Sequence, residues 1–128
     1  MSIKEKALEL HDNGYNCAQS VLAASGEYTG LDDKTALAIS AGFGGGLRSG
    51  EVCGAISGAV MAVGMKYPFS DAKDAEAKVK IAALAKQCVA AAKEKYGCVT
   101  CLELKANHVS CDEIIAFMSD VAEELMNK

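Results

Sequence analysis

The sequence has few of the features that would suit a nucleic-acid-binding, membrane or exported protein. It contains a single arginine, Arg48, and its formal net charge is −4, so it offers no basic surface to neutralise a phosphate backbone. The longest apolar stretch runs from Val52 to Met65, short of the roughly 20 residues that cross a bilayer. The N-terminal segment has neither an apolar signal core nor a twin-arginine pair. We therefore expect a cytoplasmic protein that has no membrane span and does not bind nucleic acid.

Patterns typical of strands and of several familiar sites are also absent. No segment alternates β-branched and polar residues, and no βαβ pattern surrounds the C-x-x-C motif Cys98-Val99-Thr100-Cys101, which argues against a thioredoxin-like fold. The chain has no second C-x-x-C, as a zinc ribbon would require, and no C-x-x-C-H for covalent haem. The glycine-rich segment 42–50 lacks the preceding strand and the spacing of a nucleotide-binding loop. These absences favour an all-α protein.

Helical periodicity is what the sequence does contain. The length suits one domain, residues 1–128, and 51% of the residues are apolar, which is enough for a hydrophobic core. Apolar residues at helical spacing, N-capping residues and terminal glycines recur along the chain. We predict a compact all-α bundle of six or seven helices: from Ile3 to Asn13, from Cys17, from Asp32 or Asp33 to Ala41, from Glu51 to Gly64, from Ser70 or Asp71 to Tyr96, and from Thr100 and Ser110 onward.

The segment from Glu51 to Gly64 is predicted to be the buried central helix, rich in glycine and alanine. Gly54 and Gly58 lie four residues apart, so another helix can approach that face closely. The preceding segment 42–50 has glycine at five of its nine positions and is predicted to be a loop. Helix faces built from small residues would also permit a homodimer.

Four of the six cysteines lie where helices are predicted to begin. Cys17, Cys101 and Cys111 each follow an inferred N-cap residue, and Cys53 falls in the first turn of the central helix. Free N–H groups and the positive end of the helix dipole stabilise a thiolate there and lower its pKa. Four such thiolates suit an iron–sulfur cluster that transfers electrons, and they would equally suit a structural zinc ion.

Three further residues are candidate members of this site. Cys98 shares the C-x-x-C motif, His108 lies close to a predicted helix start, and Arg48 in the glycine-rich segment could hold an anion or attract thiolates. Cys88 lies mid-helix on the apolar face and is interpreted as a core residue.

Two interpretations without a metal remain open. A thiol–disulfide enzyme or sensor would use Cys98 with Cys101 and Cys17 with Cys53, whereas an interaction protein would use its cysteines only for packing. The sequence does not decide whether the protein is an enzyme.

Four segments carry a distinctive combination of cysteine and small residues. They are Gly14-Tyr15-Asn16-Cys17-Ala18-Gln19, Gly42-Phe43-Gly44-Gly45-Gly46, Val52-Cys53-Gly54-Ala55-Ile56-Ser57-Gly58-Ala59 and Cys101-Leu102-Glu103-Leu104. Together they resemble the C-GCAxxG-C-C family of redox-active proteins. The resemblance implies that the family's four cysteines correspond to Cys17, Cys53, Cys101 and Cys111. It also implies a redox context with oxidoreductase or transporter components as partners, because genes of this family tend to lie beside genes for oxidoreductases and transporters. A related domain occurs in split-Soret cytochromes.

Overall fold

The chain folds into an all-α bundle, which confirms the predicted fold class. The computed structural model describes residues 1–127, and this part contains eight α-helices and a single isolated β-bridge. The helices are α1 (Ile3–Asp12), α2 (Cys17–Ala24), α3 (Gly26–Thr29), α4 (Asp33–Ser40), α5 (Gly54–Lys66), α6 (Ala75–Tyr96), α7 (Cys101–Ala106) and α8 (Cys111–Met126). Seven of them correspond to predicted helices. The eighth, α3, is a single turn in a stretch where no helix was predicted.

Side-chain caps determine where the cysteine-bearing helices begin. Asn16 accepts a hydrogen bond from the N–H of Gln19 at 3.0 Å, and the Gln19 side chain accepts from the N–H of Asn16 at 3.1 Å. Thr100 and Ser110 cap α7 and α8 in the same way, each accepting from an N–H three residues later. These bonds satisfy N–H groups that a helix start leaves free. The residue after each cap is a cysteine: Cys17, Cys101 or Cys111.

The predicted start of the central helix at Glu51 is wrong. Val52 forms an antiparallel bridge with Thr100, so the backbone is still extended at this point. The helix α5 begins at Gly54, and Cys53 is its N-cap residue with a ψ of 134°. Cys53 therefore precedes the first turn of α5, although it does lie at the N-terminal end of the central helix, as the sequence indicated.

The long helix α6 also begins later than predicted. Asp74 caps it with its carboxylate, so the helix starts at Ala75 rather than at Ser70 or Asp71. Its end is as predicted, because Gly97 adopts a left-handed conformation with a φ of 76° and stops the helix there.

The core surrounds α5, which contacts α2, α6 and α8. A Cβ atom on Gly58 would lie 2.9 Å from the carbonyl oxygen of Ala18 in α2, so glycine allows these two helices to touch. This confirms the predicted role of the glycine pair. Neither α5 nor any other helix within residues 1–127 is long and apolar enough to cross a membrane.

Candidate thiol site

Four cysteines line one cavity of about 190 Å³. Cys17 and Cys53 are buried, with 8% and 4% of their surface exposed, whereas Cys101 and Cys111 are half-buried. Each comes from a different helix start: the first residues of α2, α7 and α8, and the N-cap of α5. The four cysteines selected from the sequence are therefore brought together at one end of the bundle.

The thiols of Cys17 and Cys53 are in hydrogen-bond contact. The Cys53 thiol donates to Sγ of Cys17, which also receives the backbone N–H groups of Gly45 and Ala18. The hydrogen bond from Cys53, with the N–H donors adding to it, lowers the pKa of Cys17 from 9.0 to about 5 against the opposing effect of burial. This environment therefore favours the thiolate of Cys17, with the proton of the pair on Cys53.

The pKa values of Cys53 and Cys111 change in the opposite direction. For Cys53, the hydrogen bond that it donates to Cys17 raises the pKa, and burial and the negative charge of Cys17 raise it further. Burial raises the pKa of Cys111, and the charge of Cys17 adds to this effect. The prediction that a helix start lowers all four pKa values is wrong at these two cysteines. Here burial and a neighbouring thiolate outweigh the effect of the helix end.

A left-handed turn places the backbone of the glycine-rich segment over Cys17. Gly45, Gly46, Leu47 and Arg48 all have positive φ angles, of 65°, 64°, 61° and 58°. Such a conformation costs a residue other than glycine about 1–2 kcal/mol, so the surrounding structure must impose it on Leu47 and Arg48. The segment is not a regular helix, as predicted, and its N–H at Gly45 reaches the sulfur of Cys17.

A short antiparallel pairing joins two of the cysteine-bearing segments. The N–H of Cys53 donates to the carbonyl of Val99 at 2.9 Å, and the N–H of Cys101 donates to the carbonyl of Glu51 at 2.6 Å. These bonds hold the start of α7 beside the start of α5. A single bridge has too few residues to produce a detectable sequence period, so this contact was not predicted.

Of the three additional candidates, only Arg48 lines the cavity. Cys98 is buried elsewhere, where its sulfur accepts from Nδ2 of Asn107 at 3.4 Å and its thiol donates to the carbonyl of Tyr96 at 3.7 Å. His108 is exposed and has a φ of 62°, just after α7. The structure therefore brings Arg48, but neither Cys98 nor His108, to the four cysteines.

Two cationic or titratable side chains of the cavity were missed by sequence reasoning. Lys105 lies four residues after Cys101, which places both on one face of α7, and this spacing was an available signal. His11 also lines the cavity, and its Nδ1 lies 2.7 Å from the carboxylate of Asp112 at the start of α8. No local pattern indicates that the end of α1 meets the start of α8.

The donor set of the cavity suits soft metals, because thiolates are the ligands that zinc and iron–sulfur clusters take. Within residues 1–127, however, no three His, Cys, Asp or Glu side chains lie close enough together to hold one metal ion. The residue types fit such a group, whereas their spacing does not enclose a single ion.

The comparison with protein families gives one match. The family described as "Putative redox-active protein (C_GCAxxG_C_C)" matches residues 15–125, a range that includes all four cysteines of the cavity. No curated protein and no solved structure matches the chain.

Proposed function

Because this chain belongs to the C_GCAxxG_C_C family of putative redox-active proteins, we propose that it is a thiol–disulfide redox protein whose reactive pair is Cys17 and Cys53. The observation that carries the proposal is the position of these two cysteines, which lie where the starts of α2 and α5 touch and which both line one cavity. Two thiols in contact need little movement to become a disulfide, and one of them is already ionised.

In this proposal Cys17 is the nucleophile. Its thiolate attacks one sulfur of a substrate disulfide, so a mixed disulfide forms and the first substrate thiolate leaves. Cys53 then loses its proton and attacks the Cys17 sulfur, and the second substrate thiolate leaves. The products are the Cys17–Cys53 disulfide and two substrate thiols, so two electrons pass from the protein to the substrate.

The environment of Cys53 favours this order of events. Its pKa is raised by the hydrogen bond to Cys17, by burial and by the charge of that thiolate, so Cys53 keeps its proton in the reduced protein. The first attack removes both the charge and the acceptor, whereas the N–H groups of Ala55 and Ile56 continue to stabilise a thiolate at position 53. Consumption of the Cys17 thiolate therefore activates Cys53.

Mild oxidation followed by alkylation and peptide mass spectrometry tests the proposal. We expect one intramolecular disulfide, between Cys17 and Cys53, that returns to two thiols under mild reductant. Cys17→Ser should abolish the reaction, and Cys53→Ser should stop it at the mixed disulfide. A disulfide between Cys98 and Cys101 in the native protein, with Cys17 left as a free thiol, would contradict this assignment.

A second candidate is an iron–sulfur protein that transfers electrons, with Cys17, Cys53, Cys101 and Cys111 as the ligands. The presence of all four thiols around one cavity favours it, and a bound cluster would supply one-electron chemistry. Zinc bound by the same residues would make the protein a structural module. Anaerobic purification followed by iron, zinc and acid-labile sulfide analysis distinguishes these cases from the metal-free dithiol.

The predicted partners and location belong to the same proposal. Oxidoreductase or transporter components would exchange electrons with the pair, and a reducing cytoplasm would keep its cysteines as thiols.

A further inference from the structure

The cavity over the Cys17–Cys53 pair has the size for a small molecule. Its volume is about 190 Å³, and both sulfurs of the pair are buried in its wall. A disulfide within a folded protein could not reach these atoms without a protruding loop, whereas a short disulfide molecule can enter the cavity.

Two cationic side chains without an ion-pair partner among the described residues line this cavity. Arg48 and Lys105 both line it and are exposed, and no residue that the structure describes forms an ion pair with either of them. His11 is the third basic side chain of the lining, but the carboxylate of Asp112 faces it at 2.7 Å. A protein with a net charge of −4 therefore presents two free positive charges beside its reactive thiols.

The rest of the lining favours a molecule with an apolar stem over a bare anion. Leu104, Val109 and Ile114 supply apolar surface in the same lining as the cysteines and the cations. Methylene groups would contact these side chains, while carboxylates at the ends of the molecule would remain near Arg48 and Lys105.

We infer that the cavity binds small disulfides with terminal carboxylates and presents their sulfur–sulfur bond to Cys17. This inference rests on the proposed thiol–disulfide function and adds the class of substrate. Attack by Cys17 breaks the substrate S–S bond, forms a Cys17–substrate disulfide and releases one carboxylate-bearing thiolate. Cys53 completes the exchange as described above, so one small disulfide becomes two thiols and the protein dithiol becomes a disulfide.

Three disulfides with the same two-carbon arms test the role of charge: dithiodipropionate, which is anionic, bis(hydroxyethyl) disulfide, which is neutral, and cystamine, which is cationic. The rate of Cys17–Cys53 oxidation is measured with each by quenched alkylation and mass spectrometry. For each probe, this rate is divided by the rate at which the same disulfide reacts with free mercaptoethanol, so that differences in the intrinsic reactivity of the probes cancel. We expect a normalised anion-to-cation ratio of about ten, decreasing as ionic strength rises.

Substitution of the two cations locates the selectivity. Arg48→Gln and Lys105→Gln should each lower the anion-to-cation ratio about threefold, and Arg48→Lys should retain it. Lys86→Gln, at an exposed position on α6 away from the cavity, is the matched control and should leave the ratio unchanged. Circular dichroism confirms that each variant keeps its helices.

The possible failures are distinguishable. Equal normalised rates for the three probes would overturn the inference while leaving the thiol–disulfide function intact. An effect of Lys105→Gln no larger than that of Lys86→Gln would also overturn it. If no probe oxidises the pair, the proposed function itself is wrong.

Discussion

A Cβ atom on Gly54 would lie 2.5 Å from Sγ of Cys17, closer than side-chain atoms approach one another. The same atom would lie 3.0 Å from the carbonyl oxygen of Phe43. Glycine at the first position of α5 is therefore what allows the start of this helix to touch the start of α2. The contact brings Cys53, the N-cap of α5, onto Cys17.

Gly54→Ala should disturb both folding and the thiol pair. An added methyl group forces the two helix starts apart, so we expect the free energy of unfolding to fall by about 1–3 kcal/mol. Formation of the Cys17–Cys53 disulfide should slow in parallel. Denaturant titration and timed alkylation measure the two effects.

Gly64→Ala in the same helix is the control for this prediction. Its Cβ would meet only Cδ1 of Ile81, at an ordinary 3.9 Å, so the better helix propensity of alanine should raise stability by up to about 1 kcal/mol. Equal stability and equal disulfide formation in Gly54→Ala and Gly64→Ala would show that the close approach at Gly54 does not matter.

The lowered pKa of Cys17 makes folding depend on pH. This pKa falls from 9.0 to about 5 in the folded protein, so the unfolded chain binds more protons throughout that interval. The free energy of unfolding should therefore decrease as pH is lowered from 9.0 toward 5. Cys53 opposes this slope only near pH 9.0, where its thiol begins to ionise in the unfolded chain while its raised pKa keeps it protonated in the folded protein.

Denaturant titrations over this pH interval test the prediction by comparison with Cys17→Ser. Carboxylates also titrate near its acidic end, but they do so in both proteins, so the difference between the two slopes below about pH 8 reports Cys17. Nearer pH 9.0, the substitution also changes the ionisation of Cys53. Identical slopes would mean that the Cys17 thiol is not ionised in the folded protein.

The fold could be predicted because most helix boundaries here depend on local signals. Asn16 and Gly97 act through hydrogen bonds or backbone angles within a few residues, and both were assigned correctly. The start of α5 was misplaced because the N–H of Cys53 is taken by Val99, which lies far away in sequence. Local propensity cannot anticipate such a contact.

The composition of the site was predicted, but its internal chemistry was not. The capping pattern selected the four cysteines of the cavity, and the glycine content of segment 42–50 predicted the loop that contributes Gly45 and Arg48 to its lining. Which two thiols touch, and therefore which one ionises, depends on how α2 and α5 pack. The involvement of His11 depends on the packing of α1 against α8 in the same way.

Cys88 should be unreactive in the folded protein. It is fully buried in the middle of α6, as its position on the apolar face predicted, and burial raises its pKa to about 11. We expect alkylation of Cys88 only after unfolding, measured by peptide mass spectrometry, whereas the proposed function predicts faster alkylation of Cys17 in the folded protein. Cys88→Ser should lower the free energy of unfolding by about 1–3 kcal/mol, because its hydroxyl would need a partner in an apolar core. Rapid alkylation of Cys88 under native conditions would contradict its assignment to the core.

The hydroxyl of Tyr96 is a buried polar group that costs the folded protein stability. It is buried and makes no hydrogen bond of standard geometry with the residues that the structure describes. Burial raises the pKa of Tyr96 to about 12, and the charge of Glu113 and a weak contact with its carboxylate add to this effect. The ring itself packs edge-on against Phe117, with centroids 5.6 Å apart. Tyr96→Phe keeps this ring contact and removes an unsatisfied polar group, so it should raise the free energy of unfolding by about 1 kcal/mol.

Tyr28→Phe is the matched comparison, because the hydroxyl of Tyr28 donates to the carboxylate of Glu123 at 3.0 Å. Loss of that hydrogen bond should lower the free energy of unfolding by about 1 kcal/mol, so the two Tyr→Phe changes are expected to have opposite signs. Denaturant titration of both variants beside the unmodified protein measures the difference. If Tyr96→Phe destabilises the protein as much as Tyr28→Phe does, the Tyr96 hydroxyl makes a hydrogen bond in solution, and Glu113 is the group to substitute next.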